Sequence, residues 1–123
     1  MKFTKLVPSV FYHDIQEGIR LFVDCLGFEI EHEELKAHQP FCVVVRDGLR
    51  LNIFQDSELA AEHHPELRLV TPNIDEAYQQ ISASHPEYLH PNLPRVTRRP
   101  WGALEFALRD SQLGIRIQEW PGE

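Results

Sequence analysis

The same strand, helix and hairpin pattern occurs twice along the chain, and this internal repeat limits the architecture more than any other feature of the sequence. In the first copy residues 3–12 read as a strand. Asp14 then caps a helix, with Glu17 at the capping-box position. Ile15, Ile19, Phe22, Val23 and Leu26 follow the helical apolar spacing, and Gly27 supplies the stop. In the second copy residues 66–71 read as a strand, Asn73 caps, and Glu76 takes the box position. Ile74, Ala77, Tyr78 and Ile81 form the second stripe.

A hairpin follows each helix. Residues 41–45 and 49–54 flank Asp47-Gly48, a two-residue turn signal. Residues 104–108 and 115–120 flank a longer turn at 110–114. The remaining strand is 28–35 in the first copy; in the second it is Arg95 to Arg98, hemmed by Pro91, Pro94 and Pro100. Each half therefore reads β-α-β-β-β, module one over about 1–57 and module two over about 66–123. A chain of 123 residues makes these one α+β domain. One four-stranded sheet cannot bury both faces. Two modules side by side are expected to make a half-open barrel, with the helices outside and a central groove that suits a ligand.

A net charge of −7 excludes a nucleic-acid partner, whose phosphates need a basic surface. Glu29, Glu31, Glu33 and Glu34 read as a solvated strand edge. No run of about 18 apolar residues is present to cross a membrane, and residues 1–12 lack the layout of a signal peptide. The expected location is cytoplasmic. Cys25 and Cys42 form no C-x-x-C pair and read as buried free thiols.

Strand alternation assigns side chains to the groove. A two-residue turn at Asp47-Gly48 pairs Val45 with Arg50, Val43 with Asn52 and Phe41 with Phe54, all on the groove face, leaving Leu49, Leu51 and Ile53 for the helix. In module two Glu66, Arg68, Arg116, Gln118 and Trp120 take that face, with Leu104, Phe106 and Leu108 across from them. Trp101 lies in a bend flanked by Pro100 and Gly102, poorly placed for a core. Phe41 and Phe54 have a second reading as ordinary core residues. The histidines supply no metal spacing: Glu62-His63-His64 falls in the loop expected between the modules, and the others are scattered. No nucleophile elbow or phosphate loop is present, so no catalytic residue is assigned.

Several segments resemble a known group. Val7-Pro8-Ser9-Val10, Asp14-Ile15 and Leu21-Phe22-Val23-Asp24-Cys25-Leu26-Gly27-Phe28 resemble the opening of the glyoxalase/bleomycin-resistance/dioxygenase superfamily. Phe41 to Asp47 and, above all, Pro100-Trp101-Gly102-Ala103-Leu104-Glu105-Phe106-Ala107-Leu108-Arg109-Asp110 resemble the bleomycin-resistance proteins within it. The resemblance implies a homodimer, with exchange of the N-terminal strand and Pro8 near the hinge. It implies that Phe41 and Trp101 stack on a drug's planar rings. Superfamily enzymes hold a divalent ion at four positions, which the repeat aligns here with Val7, Asn52, Glu66 and Gln118. Valine and two carboxamides are unsuited to such a site, so no metal and no cofactor are expected.

The function expected is binding without chemistry: sequestration of an aromatic, antibiotic-like molecule by Phe41, Val43, Arg50, Asn52, Phe54, Glu66, Arg68, Trp101, Phe106, Arg116 and Gln118. Arg50, Arg68 and Arg116 would repel cationic bleomycin unless acids pair with them, and unpaired they suit a carboxylated aromatic ligand. The alternatives are a metal-dependent lyase, isomerase or dioxygenase of the same superfamily, and a regulatory module whose groove binds an effector.

Overall fold

In a computed structural model, which describes residues 1–122, the chain forms two compact units, Met1–His63 and His64–Glu123. Each holds one open, mixed four-stranded sheet, ordered β1-β4-β3-β2 in the first and β5-β8-β7-β6 in the second. The architecture is α+β, and each unit carries the β-α-β-β-β order expected of the repeat.

The first unit contains β1 (Ser9–Tyr12), β2 (Glu29–Glu34), β3 (Phe41–Arg46) and β4 (Leu49–Gln55). β1 begins at Ser9 rather than at residue 3: β4 offers it only the partners Asn52 to Gln55, and Met1, Phe3 and Leu6 are exposed. Helix α1 (Ile15–Ile19) is capped by the Asp14 side chain, which accepts from the Gln16 amide. It continues as a π-helical stretch over Arg20–Cys25. Asp47 (φ 51°) and Gly48 (φ 79°) make the two-residue turn between β3 and β4, so the register pairs Phe41 with Phe54, Val43 with Asn52 and Val45 with Arg50.

α1 covers one face of this sheet. Val10, Tyr12, Cys42, Val44, Leu51 and Ile53 are buried there with Ile15, Leu21 and Phe22 from the helix. Gly18 permits the approach, since a Cβ at that position would lie 2.6 Å from the Tyr12 ring. Leu49, expected on the same face, is half exposed at the strand's end. Residues 57–62, expected to lie in a loop, form a short helix instead. α2 (Ser57–Glu62) is nucleated by Asp56, whose carboxylate accepts from the Leu59 amide.

The second unit contains β5 (Glu66–Val70), α3 (Ile74–Ser84), β6 (Thr97–Arg98), β7 (Leu104–Arg109) and β8 (Gly114–Glu119). Asn73 caps α3 as expected, accepting from the Glu76 amide. Tyr78 of α3 meets Phe106 edge to face with centroids 5.2 Å apart, which identifies the α3 side of the sheet. β6 is only two residues long. Beyond it Leu93 and His90 pair with the backbone of Ala107 and extend the edge of β7. No helix among the described residues is long and apolar enough to cross a membrane.

Candidate functional site

The face of the first sheet turned away from α1 carries a row of rings. Phe11 of β1, Phe54 of β4 and Phe41 of β3 stand side by side, each 5.8 Å from the next and inclined by 25° and 29°. His63 approaches Phe11 at one end and His32 of β2 approaches Phe41 at the other. The row follows from the register, which sets Phe11 level with Phe54 and Phe54 level with Phe41. All three phenylalanines are half-buried and so keep ring surface open to a ligand. Arg50, further along the same face, forms a 2.6 Å ion pair with Glu31. Phe41, Val43, Arg50, Asn52 and Phe54 thus share the face that alternation assigned to them. Phe11 joins them; its alternation with the buried Val10 and Tyr12 was the signal that could have found it.

The corresponding face of the second sheet is polar. Glu105 of β7 is fully buried and is the hub of a network. Its Oε2 accepts from Trp101 Nε1 at 3.0 Å and from Gln118 Nε2, and its Oε1 accepts from Arg116 Nη1 at 3.3 Å. Arg99 Nε lies 3.8 Å from Oε1. Arg116 also reaches Glu66 Oε1 through its Nε at 3.2 Å, and Arg68 pairs with the same oxygen at 3.2 Å. A buried carboxylate is stable only when paired and hydrogen-bonded in this way. Trp101, 48% exposed, holds its indole beneath the Arg99 guanidinium, 5.0 Å from the ring centroid. Arg68 and Arg116, which would repel a cation if unpaired, are both engaged by carboxylates.

One sequence expectation is corrected here. Phe106 does not share the face of Arg116 and Gln118: it is level with Ile117, fully buried and packed on Tyr78. The β7–β8 register sets Glu105 against Gln118 and Ala107 against Arg116. Leu104 and Leu108, expected with Phe106 on that face, are likewise level with Glu119 and Ile115, so the whole set lies one residue out of phase. Glu66, Arg68, Trp101, Arg116 and Gln118 are brought together, and Arg99 joins them.

Beside this network the second unit has a cavity of about 400 Å³. Arg99, Arg116, Glu66, His64, His90 and Asn92 line it with Leu93, Ala107 and Ile115.

The residues at the positions where superfamily enzymes bind a divalent ion do not fit one. The Glu66 oxygen is spanned by two guanidiniums, and the Gln118 amide donates to Glu105. The register also alters the alignment. Ser9 is level with Asn52 and Val70 with Gln118, so the counterpart of Val7, two residues before Ser9, is Arg68 and not Glu66. Among the described residues no group of three or more His, Cys, Asp or Glu side chains could hold a metal. Cys42 is fully buried and Cys25 half-buried.

No protein-family model matches the sequence. No curated protein matches it either. Solved structures do match. The bleomycin-binding protein from bleomycin-producing Streptomyces verticillus, complexed with copper(II)-bleomycin, superimposes with a TM-score of 0.71 at 22% identity, over 100% of this chain and 99% of that one. TioX from Micromonospora sp. ML1 gives 0.76 at 14% identity, over 95% and 98%. Lactoylglutathione lyase from Agrobacterium tumefaciens gives 0.71 at 13% identity, over 96% and 95%. The fold of this chain is therefore the one shared by bleomycin-binding proteins and by lyases of the glyoxalase/bleomycin-resistance/dioxygenase superfamily.

Proposed function

We propose that this chain is a small-molecule binding protein of the bleomycin-resistance type, which sequesters an aromatic, antibiotic-like ligand without transforming it. The observation that carries the reading is the half-buried row of Phe11, Phe54 and Phe41 on the face opposite α1. Adjacent rings with open surface offer a stacking platform for planar, conjugated molecules. Trp101, half exposed and held by Glu105, offers a second such surface. The pairing of Arg50 with Glu31, and of Arg68 and Arg116 with Glu66 and Glu105, lowers the repulsion these arginines would exert on a cationic drug. The metal-dependent reading lacks a donor set at the positions the superfamily uses.

The same reading takes residues 1–123 as one domain working as a cytoplasmic homodimer. Met1, Phe3 and Leu6, exposed ahead of β1, are the segment that would exchange between protomers.

Calorimetric titration with bleomycin, followed by mass spectrometry of the recovered drug, tests the binding. Saturable heat and an unchanged mass are expected. A modified drug, or a stoichiometric transition metal in protein purified without chelator, overturns the reading. Absence of both heat and protection of DNA from bleomycin cleavage removes that drug as the ligand.

A further inference from the structure

We infer that the cavity in the second unit takes the carboxylate of a planar aromatic acid, with Arg99 as its partner. The inference rests on the binding reading above and names the ligand's chemical class.

The argument starts from hydrogen-bond supply. On this face three guanidiniums, those of Arg68, Arg99 and Arg116, meet two carboxylates, Glu66 and Glu105. Glu66 Oε1 is shared by Arg68 and Arg116, and both oxygens of Glu105 accept from Trp101, Gln118 and Arg116. Arg99 comes last: its Nε is buried, makes no hydrogen bond, and stands 3.8 Å from Glu105, beyond hydrogen-bond reach. A buried N–H left unsatisfied is costly, and on a cation more so. With Arg99 held only loosely by Glu105 and its side chain 29% exposed, an incoming oxyanion can compete for the guanidinium, whose edge presents parallel donors that match a carboxylate.

The surroundings say what carries the carboxylate. Arg99 lines the cavity of about 400 Å³ with Arg116, Glu66, His64, His90 and Asn92 as its other polar groups and Leu93, Ala107 and Ile115 as apolar wall. That volume lies in the range of small-ligand sites, and a wall rich in charged and polar groups suits a ligand held by a charged end. Trp101 does not line the cavity, but it lies under the Arg99 guanidinium and is half exposed, so a ring whose carboxylate engages Arg99 has an aromatic face within reach.

Calorimetric titration with a matched pair, 1-naphthoate and 1-naphthalenemethanol, tests this at neutral pH. The acid is expected to bind about ten- to hundredfold more tightly than the alcohol, the usual margin for hydrogen bonds to a charged group. In Arg99→Gln that preference is expected to vanish while the alcohol still binds, which shows that the face remains folded. Arg99→Lys, which keeps the charge and loses the planar fork, falls between. Equal binding of acid and alcohol by the parent protein overturns the inference and leaves the binding reading standing. Failure of both compounds to bind overturns the inference, while the titration with bleomycin decides the binding reading separately. A preference that survives Arg99→Gln overturns the assignment to Arg99, and displacement of the acid by equimolar inorganic phosphate assigns the cavity to a free oxyanion instead.

Discussion

The two sheets share one backbone plan and differ in what they present on the face away from their helices. Arg50 and Asn52 on β4 hold the places that Arg116 and Gln118 hold on β8. Their cross-strand neighbours are Val45 and Val43 in the first sheet, Ala107 and Glu105 in the second. Of these two level pairs, only the one with Val43 in the first sheet and Glu105 in the second changes polarity. Where Val43 stands, nothing draws the arginine inward, and Arg50 turns to Glu31 on the neighbouring strand. Where Glu105 stands, Arg116, Gln118 and Trp101 all converge on it. The frame determines which residues are level; the chemistry of a single cross-strand pair determines what the level does.

The largest effect should come from breaking that difference at its source. Glu105→Ala leaves Arg116, Gln118 and the Trp101 indole without their shared acceptor, and is expected to cost about 3–5 kcal/mol in urea unfolding, as for loss of one member of a buried charged cluster. Val43→Ala, its counterpart in the first sheet, removes only part of a half-buried apolar side chain and is expected to cost about 1 kcal/mol. Similar costs for the two would show that the Glu105 network is not what distinguishes the sheets.

Next in size is a substitution on the helix side. Gly18→Ala places a methyl against the buried Tyr12 ring and 3.0 Å from Ile53, and is expected to cost about 1–3 kcal/mol by overpacking. It should leave aromatic-ligand affinity unchanged, because Phe11, Phe41 and Phe54 lie on the other face. A large loss of affinity in a folded Gly18→Ala protein would mean that the two faces are coupled.

Phe54→Ala reverses that pattern. Phe54 stacks on both Phe11 and Phe41, so its removal splits the row. Each aromatic pair is worth about 0.5–1.5 kcal/mol, so loss of two pairs is expected to cost about 1–3 kcal/mol. Affinity for a planar ligand should fall about tenfold, since the two remaining rings no longer adjoin. Unchanged affinity in calorimetric titration would move the stacking surface away from this sheet.

How much of this was legible beforehand follows the reach of each signal. Asp14, Asn73 and the Asp47-Gly48 turn act within a few residues, and each does what its position implied. The face of β3 and β4 followed because a two-residue turn leaves no freedom of register. The longer turn at 110–114 supplied no such constraint, and a slip of one residue sets Leu104, Phe106 and Leu108 on the wrong face. α2 escaped because six residues hold too little periodicity to distinguish from a loop, although Asp56 with the Leu59 amide is an ordinary cap. The π-helical stretch at Arg20–Cys25 escaped because its apolar residues satisfy either helical spacing. Arg99 could not be read at all: that its Nε lacks a partner depends on how three other donors divide the oxygens of Glu105.

The smallest effect concerns how each sheet treats an acid that it buries. The second sheet surrounds Glu105 with donors. The first buries Cys42 on its α1 face, where burial, with Glu33 adding a lesser contribution, pushes the thiol up from 9.0 to about 11. The folded protein thus keeps this proton at pH values where the unfolded chain releases it. Between pH 9 and about 11 the unfolded state gains by ionising, so this contribution to stability is complete below pH 9 and declines as pH rises. At pH 10 the loss should be about 1.4 kcal/mol relative to Cys42→Ala, one pH unit's worth. Urea unfolding of both proteins at pH 8 and pH 10 measures it as the difference between their slopes. Parallel slopes would mean that the Cys42 thiolate is accommodated inside the first sheet, and would erase the contrast between a sheet that solvates its buried acid and one that keeps it neutral.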